Sequence, residues 1–171
     1  SAIDHSFTLD WLNKYIDKLA AENDFGGAIL LARGDSIFFE RYAGFADQAR
    51  TRKIGPDTRL NLGSGNKMFT ALAIMQLRDA GKLRLNDTLV SYFPDYPHQE
   101  YIRSATIHHL LSHTSGSGDY WADAYEAAWD STSSLDQMMP FVLLDTPIVA
   151  PGTQFQYSSS GFILAGKIIE Q

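Results

Sequence analysis

Only one stretch of the chain, residues 27 to 45, is patterned for β-strands, and this limits the fold more than any other feature. "GAILLARG" (27–34) is a continuous apolar run with the length of a buried strand, and "SIFFERYAGF" (36–45) is rich in aromatic residues. Gly34-Asp35 between them is a two-residue turn signal with glycine first, which predicts an antiparallel hairpin. Ahead of it, residues 8 to 23 predict an amphipathic helix. Leu9, Leu12, Ile16 and Leu19 fall at helical spacing, Thr8 stands where an N-cap would, Asp10 lies in the first turn, and Gly26-Gly27 ends the run. A helix and a lone hairpin leave strand edges open and bury little. The chain therefore reads as the beginning of something larger, or as one that borrows strands from a second chain.

After Phe45 the pattern changes. "ADQARTRKIGPDTRLN" is polar and punctuated, as a crossover would be, and the signals beyond it are mostly helical. Residues 64 to 80 predict the strongest helix, with Gly81 at the position of a capping C′ residue. Residues 81 to 97 read as a connector with two prolines. Residues 106 to 116 read as a short helix running into a glycine-rich loop. Residues 134 to 144 predict a helix kinked or restarted near Pro140, and 158 to 170 a final helix after the loop 146 to 157. Two parts result: residues 1–45, a helix plus hairpin, and residues 46–171, mostly helical. The fold class is α+β.

Within "NLGSGNKMFTALAIMQL" (61–77), Ser64 and Lys67 stand three apart at the start of the strongest helix. Residues i and i+3 share a helix face, so the serine hydroxyl lies beside the lysine amine, as a nucleophile and its base require. A serine hydroxyl is nearly inert until something accepts its proton. A lysine can do so if its pKa falls, and two features favour that fall. The helix N-terminus disfavours a second positive charge, and the helix is apolar nearly all round, which predicts burial. The same helix start points backbone N–H groups outward, where they could hold an oxyanion. The bland alternative is that Ser64 only caps the helix while Lys67 reaches water. A phosphate loop does not fit, since Asn66 precedes Lys67 and Met68 follows it. A G-x-S-x-G elbow does not fit, since position 62 is leucine.

Four stretches in order, "GSGNKMFTALA" (63–73), "GKLRLNDTLVSYFP" (81–94), "TIHHLLSHTSG" (106–116) and "PGTQFQYSSSGFILAGKIIE" (151–170), give the chain a resemblance to a known superfamily. It resembles the serine β-lactamases and penicillin-binding proteins, nearest the class C β-lactamases and their esterase and D-amino-peptidase relatives. The resemblance implies a β-lactamase/transpeptidase-like fold. The first 45 residues would then belong to its antiparallel-sheet domain and the rest to its helical domain. It implies Ser64 as acylated nucleophile, Lys67 as its base partner, and Tyr157 as the tyrosine of a Tyr-x-Asn element that relays protons. The family asparagine is Ser159 here, a shorter group with fewer hydrogen bonds, so substrate placement departs from the pattern. A third motif, on a strand beside the nucleophile, has no match before Gln171. The resemblance thus covers about the first half of the family's length, and the C-terminal strands lie outside this chain. It implies no metal and no organic cofactor.

Other classes find less support. A formal net charge of −6 with scattered basic residues argues against nucleic acid and anionic membranes as partners, no apolar run reaches membrane-spanning length, and the lack of cysteine excludes thiolate chemistry. No signal peptide is visible; residues 1 to 4 suit a processed end or an artificial boundary. Family members are often periplasmic or secreted, but the compartment is open. His109 and His113 are four apart but lack the glutamate of a zinc H-E-x-x-H site, and His113 reads as a hydrogen-bonding anchor. Tyr120, Trp121 and Trp129 either line a substrate pocket at the cleft rim or pack. The expectation is a serine hydrolase acting through an acyl-enzyme on a small-molecule or peptide amide, lactam or ester, completed by later sequence or a second chain. The alternative is a catalytically impaired scaffold or assembly protein.

Overall fold

The computed structural model describes residues 6–22 and 25–171, which form two compact units, Ser1–Leu62 and Gly63–Gln171. The predicted helix end at Asn23 and the reading of residues 1 to 4 lie outside the described residues.

In the first unit, helix α1 (Ser6–Glu22) already contains Thr8, which is therefore an interior residue and not the cap. Strands β1 (Gly27–Arg33) and β2 (Ser36–Ala43) pair antiparallel through the Gly34-Asp35 turn, with Gly34 at φ +55°. The register pairs Leu31 with Phe39 but Ala32 with Ile37, so Phe38 is an extra residue bulged into β2. Helix α1 lies on β2, where Ile16 and Phe39 are buried, and Arg41 pairs with Asp17. The polar segment after Phe45 stays with this unit: Phe45 bridges Lys53, and Ile54 is buried with its N–H on the Gly44 carbonyl.

The expectation of a buried β1 fails. Leu30, Leu31, Ile37 and Phe38 are exposed. An apolar strand is buried only when a second layer covers it, and a two-stranded sheet with α1 on it supplies too little.

The second unit is helical and packs around its last helix. A 3₁₀ turn, Gly63–Asn66, leads into α2 (Lys67–Asp79), which Gly81 closes at φ +70°, its N–H bonded to the Arg78 carbonyl. Helices α3 (Gln99–Ser104) and α4 (Ile107–Leu111) follow. Leu89 donates to the Ala105 carbonyl and ties the connector to them. Then come α5 (Asp123–Ala128), α6 (Leu135–Leu144) and α7 (Ser159–Glu170). Helix α6 runs through Pro140, so the predicted restart does not occur. Proline removes one backbone donor, and tertiary packing of Met138 and Val142 holds the helix together across it. Helix α7 packs against α2, α4 and α6, and the core gathers around it from Ile74, Leu89, Ile102, Ile107, Leu110, Val142, Leu164 and Ile168.

Candidate active site

Ser64 sits in the 3₁₀ turn and Lys67 is the first residue of α2. A 3₁₀ turn has three residues per turn, so side chains at i and i+3 stand directly one above the other. Lys67 Nζ accordingly donates to Ser64 Oγ at 3.2 Å. Asn66 makes no side-chain capping bond, and Ser64 is not the cap either.

The third group arrives from far along the chain. Tyr157 immediately precedes the cap of α7: the Ser158 hydroxyl accepts from the Gly161 N–H at 2.9 Å, which fixes where the helix begins. Because α7 packs on α2, the Tyr157 hydroxyl reaches Ser64 Oγ at 2.7 Å. Lys67 Nζ lies 5.0 Å from the centre of the Tyr157 ring and 5.7 Å from that of Phe162. Hydrogen bonding to Lys67, then to Ser64, holds the Tyr157 hydroxyl below its ordinary value, which makes its phenolate more accessible.

His113 braces this arrangement. It ends the α4 turn in the left-handed region at φ +56°, and its ring stacks on Tyr157 with centroids 4.4 Å apart. Its Nδ1 accepts the Ser158 N–H at 3.1 Å, and its carbonyl accepts the Gln156 N–H at 2.7 Å. Burial and the neighbouring Lys67 push the imidazole down, outweighing Asp119, so the neutral ring that can accept at Nδ1 is favoured. His109 is engaged elsewhere, in a reciprocal cap with Thr106. Among the described residues no group of three or more histidines, cysteines or acids converges to hold a metal ion.

Ser159 opens α7, and its N–H donates to Asp119 Oδ2 at 3.1 Å. Asp119 escapes sequence reasoning, because nothing in "SGSGDYW" marks it as a partner for a residue 40 positions away. Tyr120 stacks on Trp121 at 5.5 Å and lines a cavity of about 200 Å³ together with Asp119, Tyr125, Phe141 and Asp145. Burial first, with Tyr125 next, pushes the Tyr120 hydroxyl up to about 12, so it stays protonated. Trp121 is exposed.

One premise of the sequence reading is overturned. Of α2 only Ile74 is buried, while Met68, Phe69 and Leu72 are exposed, as are Ser64 and Tyr157. Helix α2 rests on α7 by one side, and an apolar residue on the other side stays in water unless another layer lies there. The site is thus an open constellation on the surface of this unit rather than a desolvated cleft.

A family model described as Beta-lactamase matches residues 12–171. Penicillin-binding protein 4* of Bacillus subtilis is 31% identical over 164 residues, covering 94% of this chain and 35% of that protein. A penicillin-binding protein from Bacillus halodurans has a solved structure that superposes with a TM-score of 0.73 at 33% identity, covering 91% of this chain and 49% of that one. A D-stereospecific amidohydrolase from Streptomyces superposes with a TM-score of 0.69 at 28% identity, covering 91% and 47%. The chain spans about a third of the length of the curated relatives it matches and under half of these solved chains. These neighbours share the β-lactamase/transpeptidase-like α+β fold, of which the chain matches the N-terminal portion. No helix among the described residues is long and apolar enough to cross a membrane.

Proposed function

The chain belongs to the beta-lactamase family, a family of serine hydrolases, and from that membership we propose that Ser64 is the acylated nucleophile of a hydrolase for an amide, lactam or ester. The observation that carries this is the convergence on one oxygen: Lys67 Nζ at 3.2 Å and Tyr157 Oη at 2.7 Å both contact Ser64 Oγ.

Ser64 Oγ attacks the substrate carbonyl carbon while its proton passes into the Lys67–Tyr157 pair. Tyr157, with its hydroxyl held low, is the group equipped to accept it, and the 2.7 Å contact serves a proton moving in either direction. The carbon–nitrogen or carbon–oxygen bond then breaks, and the departing atom takes that proton. Water adds to the acyl-enzyme, one of its protons returns to Ser64 Oγ, and the carboxylic acid leaves. In this reading the Ser64 N–H, at the turn that opens α2, binds the oxyanion. His113 is a positioning residue: through its stack on Tyr157 and its bond to Ser158 it sets the direction of the phenol.

The second reading, a non-catalytic scaffold, draws on Ser159, whose hydroxyl is shorter and makes fewer hydrogen bonds than an asparagine amide. A neutral alkyl fluorophosphonate separates the two. Applied to the natural full-length protein, it is expected to attach to the peptide containing Ser64 and to fail on the Ser64→Ala variant. An unlabelled wild-type protein would leave the scaffold reading standing.

A further inference from the structure

The loop and helix beside this site form a surface of one character. From Ser104 to Gly166 there is no lysine or arginine, while Asp119, Asp123, Glu126, Asp130, Asp136 and Asp145 all fall there. Among the described residues only Asp136 of these is ion-paired, to Lys167. Interleaved with the acids is an aromatic stripe at helical spacing, Trp121, Tyr125 and Trp129.

The rings make a continuous platform. Trp121 stacks between Tyr120 at 5.5 Å and Trp129 at 5.8 Å, with interplanar angles of 24° and 29°. Tyr125 is buried beneath and meets all three edge-on, with centroids 4.7 to 5.8 Å away. Trp121 and Trp129 are both more than half exposed, at 51% and 54%. Two large, exposed indoles held in one stack are a binding surface kept in shape by the buried ring below.

The platform begins at the site. Asp119 bonds the Ser159 N–H, two residues beyond Tyr157, and Tyr120 follows Asp119 directly. Both lie within electrostatic reach of Tyr157. At that inner end, the cavity walled by Tyr120, Tyr125 and Phe141 also carries Asp119 and Asp145, and each of these acids keeps one buried carboxylate oxygen without a hydrogen-bond partner.

Aromatic faces attract cations through the negative potential above the ring, and carboxylates add to that attraction. The same acids repel a carboxylate, and no lysine or arginine between Ser104 and Gly166 offsets them. We propose that this aromatic, acidic rim selects acyl substrates carrying a positively charged amine near the scissile bond, and disfavours carboxylate-bearing ones. The inference rests on the hydrolase reading and names the substrate class of that same site.

Three fluorophosphonates that differ only at the tail, bearing an ammonium, an acetamide or a carboxylate, test it on the natural full-length protein at low salt. The second-order rate of Ser64 labelling is expected to be about tenfold higher for the ammonium probe than for the acetamide, and lowest for the carboxylate. In a Trp121→Ala/Trp129→Ala variant the ammonium-to-acetamide ratio is expected to fall to within about twofold of one, and added salt is expected to compress the order in the wild type. The ratio is the readout, so a general loss of rate does not confuse it. Equal rates, a faster carboxylate probe, or a ratio that survives the double variant overturns the inference while the hydrolase reading stands. No labelling by any of the three removes the hydrolase reading, and the inference with it.

Discussion

Replacing Tyr157 by phenylalanine isolates one hydroxyl. The ring keeps its stack on His113 at 4.4 Å and its place 5.0 Å from Lys67 Nζ, while the 2.7 Å contact to Ser64 Oγ disappears. If that hydroxyl carries the serine proton, the loss is that of a general acid–base group, about 10² to 10⁴ in rate, or ~3–5 kcal/mol of barrier. Stability should hardly change. Tyr157 is 42% exposed and its hydroxyl has water available, so the cost is within ~0.5 kcal/mol and the melting temperature moves by no more than about 2 °C. The assay pairs fluorophosphonate labelling of Ser64 with a thermal melt of the same sample. A pH series adds a second constraint. Because Lys67 and Ser64 hold the phenol below its ordinary value, the phenolate fraction, and the labelling rate with it, should rise with pH through a point below 10. That limb should vanish in Tyr157→Phe. Labelling slowed by less than about threefold, or an unchanged limb, refutes the proton-transfer role. A large rate loss accompanied by a large drop in melting temperature would assign Tyr157 to structure instead.

Three further outcomes follow from the packing. His113 is held below its ordinary value by burial first and Lys67 second, and His109 by burial first and His108 second, so the unfolded chain binds more protons than the folded one as pH falls. The stability they contribute is fully present above about 6.5 and declines as pH drops below it, and melts from pH 8 to 5 should lose part of that decline in His113→Ala. Gly116 and Gly81 both have positive φ, +78° and +70°, but a Cβ on Gly116 would stand 2.0 Å from the Val149 carbonyl oxygen while one on Gly81 meets open space. Gly81→Ala should therefore cost only the left-handed strain, about 1–2 kcal/mol by denaturant titration, and Gly116→Ala distinctly more, to the point of insoluble expression. Leu164, fully buried where α7 meets the other helices, should cost about 2–5 kcal/mol when cut to alanine, measured the same way.

Local chemistry was legible in the sequence. The hairpin turn at Gly34-Asp35, the helix close at Gly81, the i, i+3 pairing of Ser64 with Lys67 and the final helix all depend on residues a few positions apart, where turn geometry and helical periodicity act. The short helices α3 and α5 escaped it. Six residues are too few to display a period, and such helices are held by their neighbours rather than by propensity. Burial escaped it as well. Continuous apolar sequence in β1 and α2 promised an interior, yet Leu30, Phe69 and Leu72 lie in water, since burial belongs to whatever packs against a face and not to the face itself.

The amino-acid sequence by itself determined that a serine and a lysine would stand within reach of each other at a helix start, because three positions along one turn put them on the same face. Tyr157, which the family resemblance picks out of eight tyrosines, is brought to them by tertiary structure. Tyr157 lies 93 residues from Ser64, Asp119 40 from Ser159, and His113 45 from Ser158. No local rule connects such pairs. They meet because α7 is packed against α2 and α4, and the hydrophobic burial that docks those helices also sets a phenol on the Ser64 hydroxyl, with an imidazole and a carboxylate bonded to the backbone that follows the phenol.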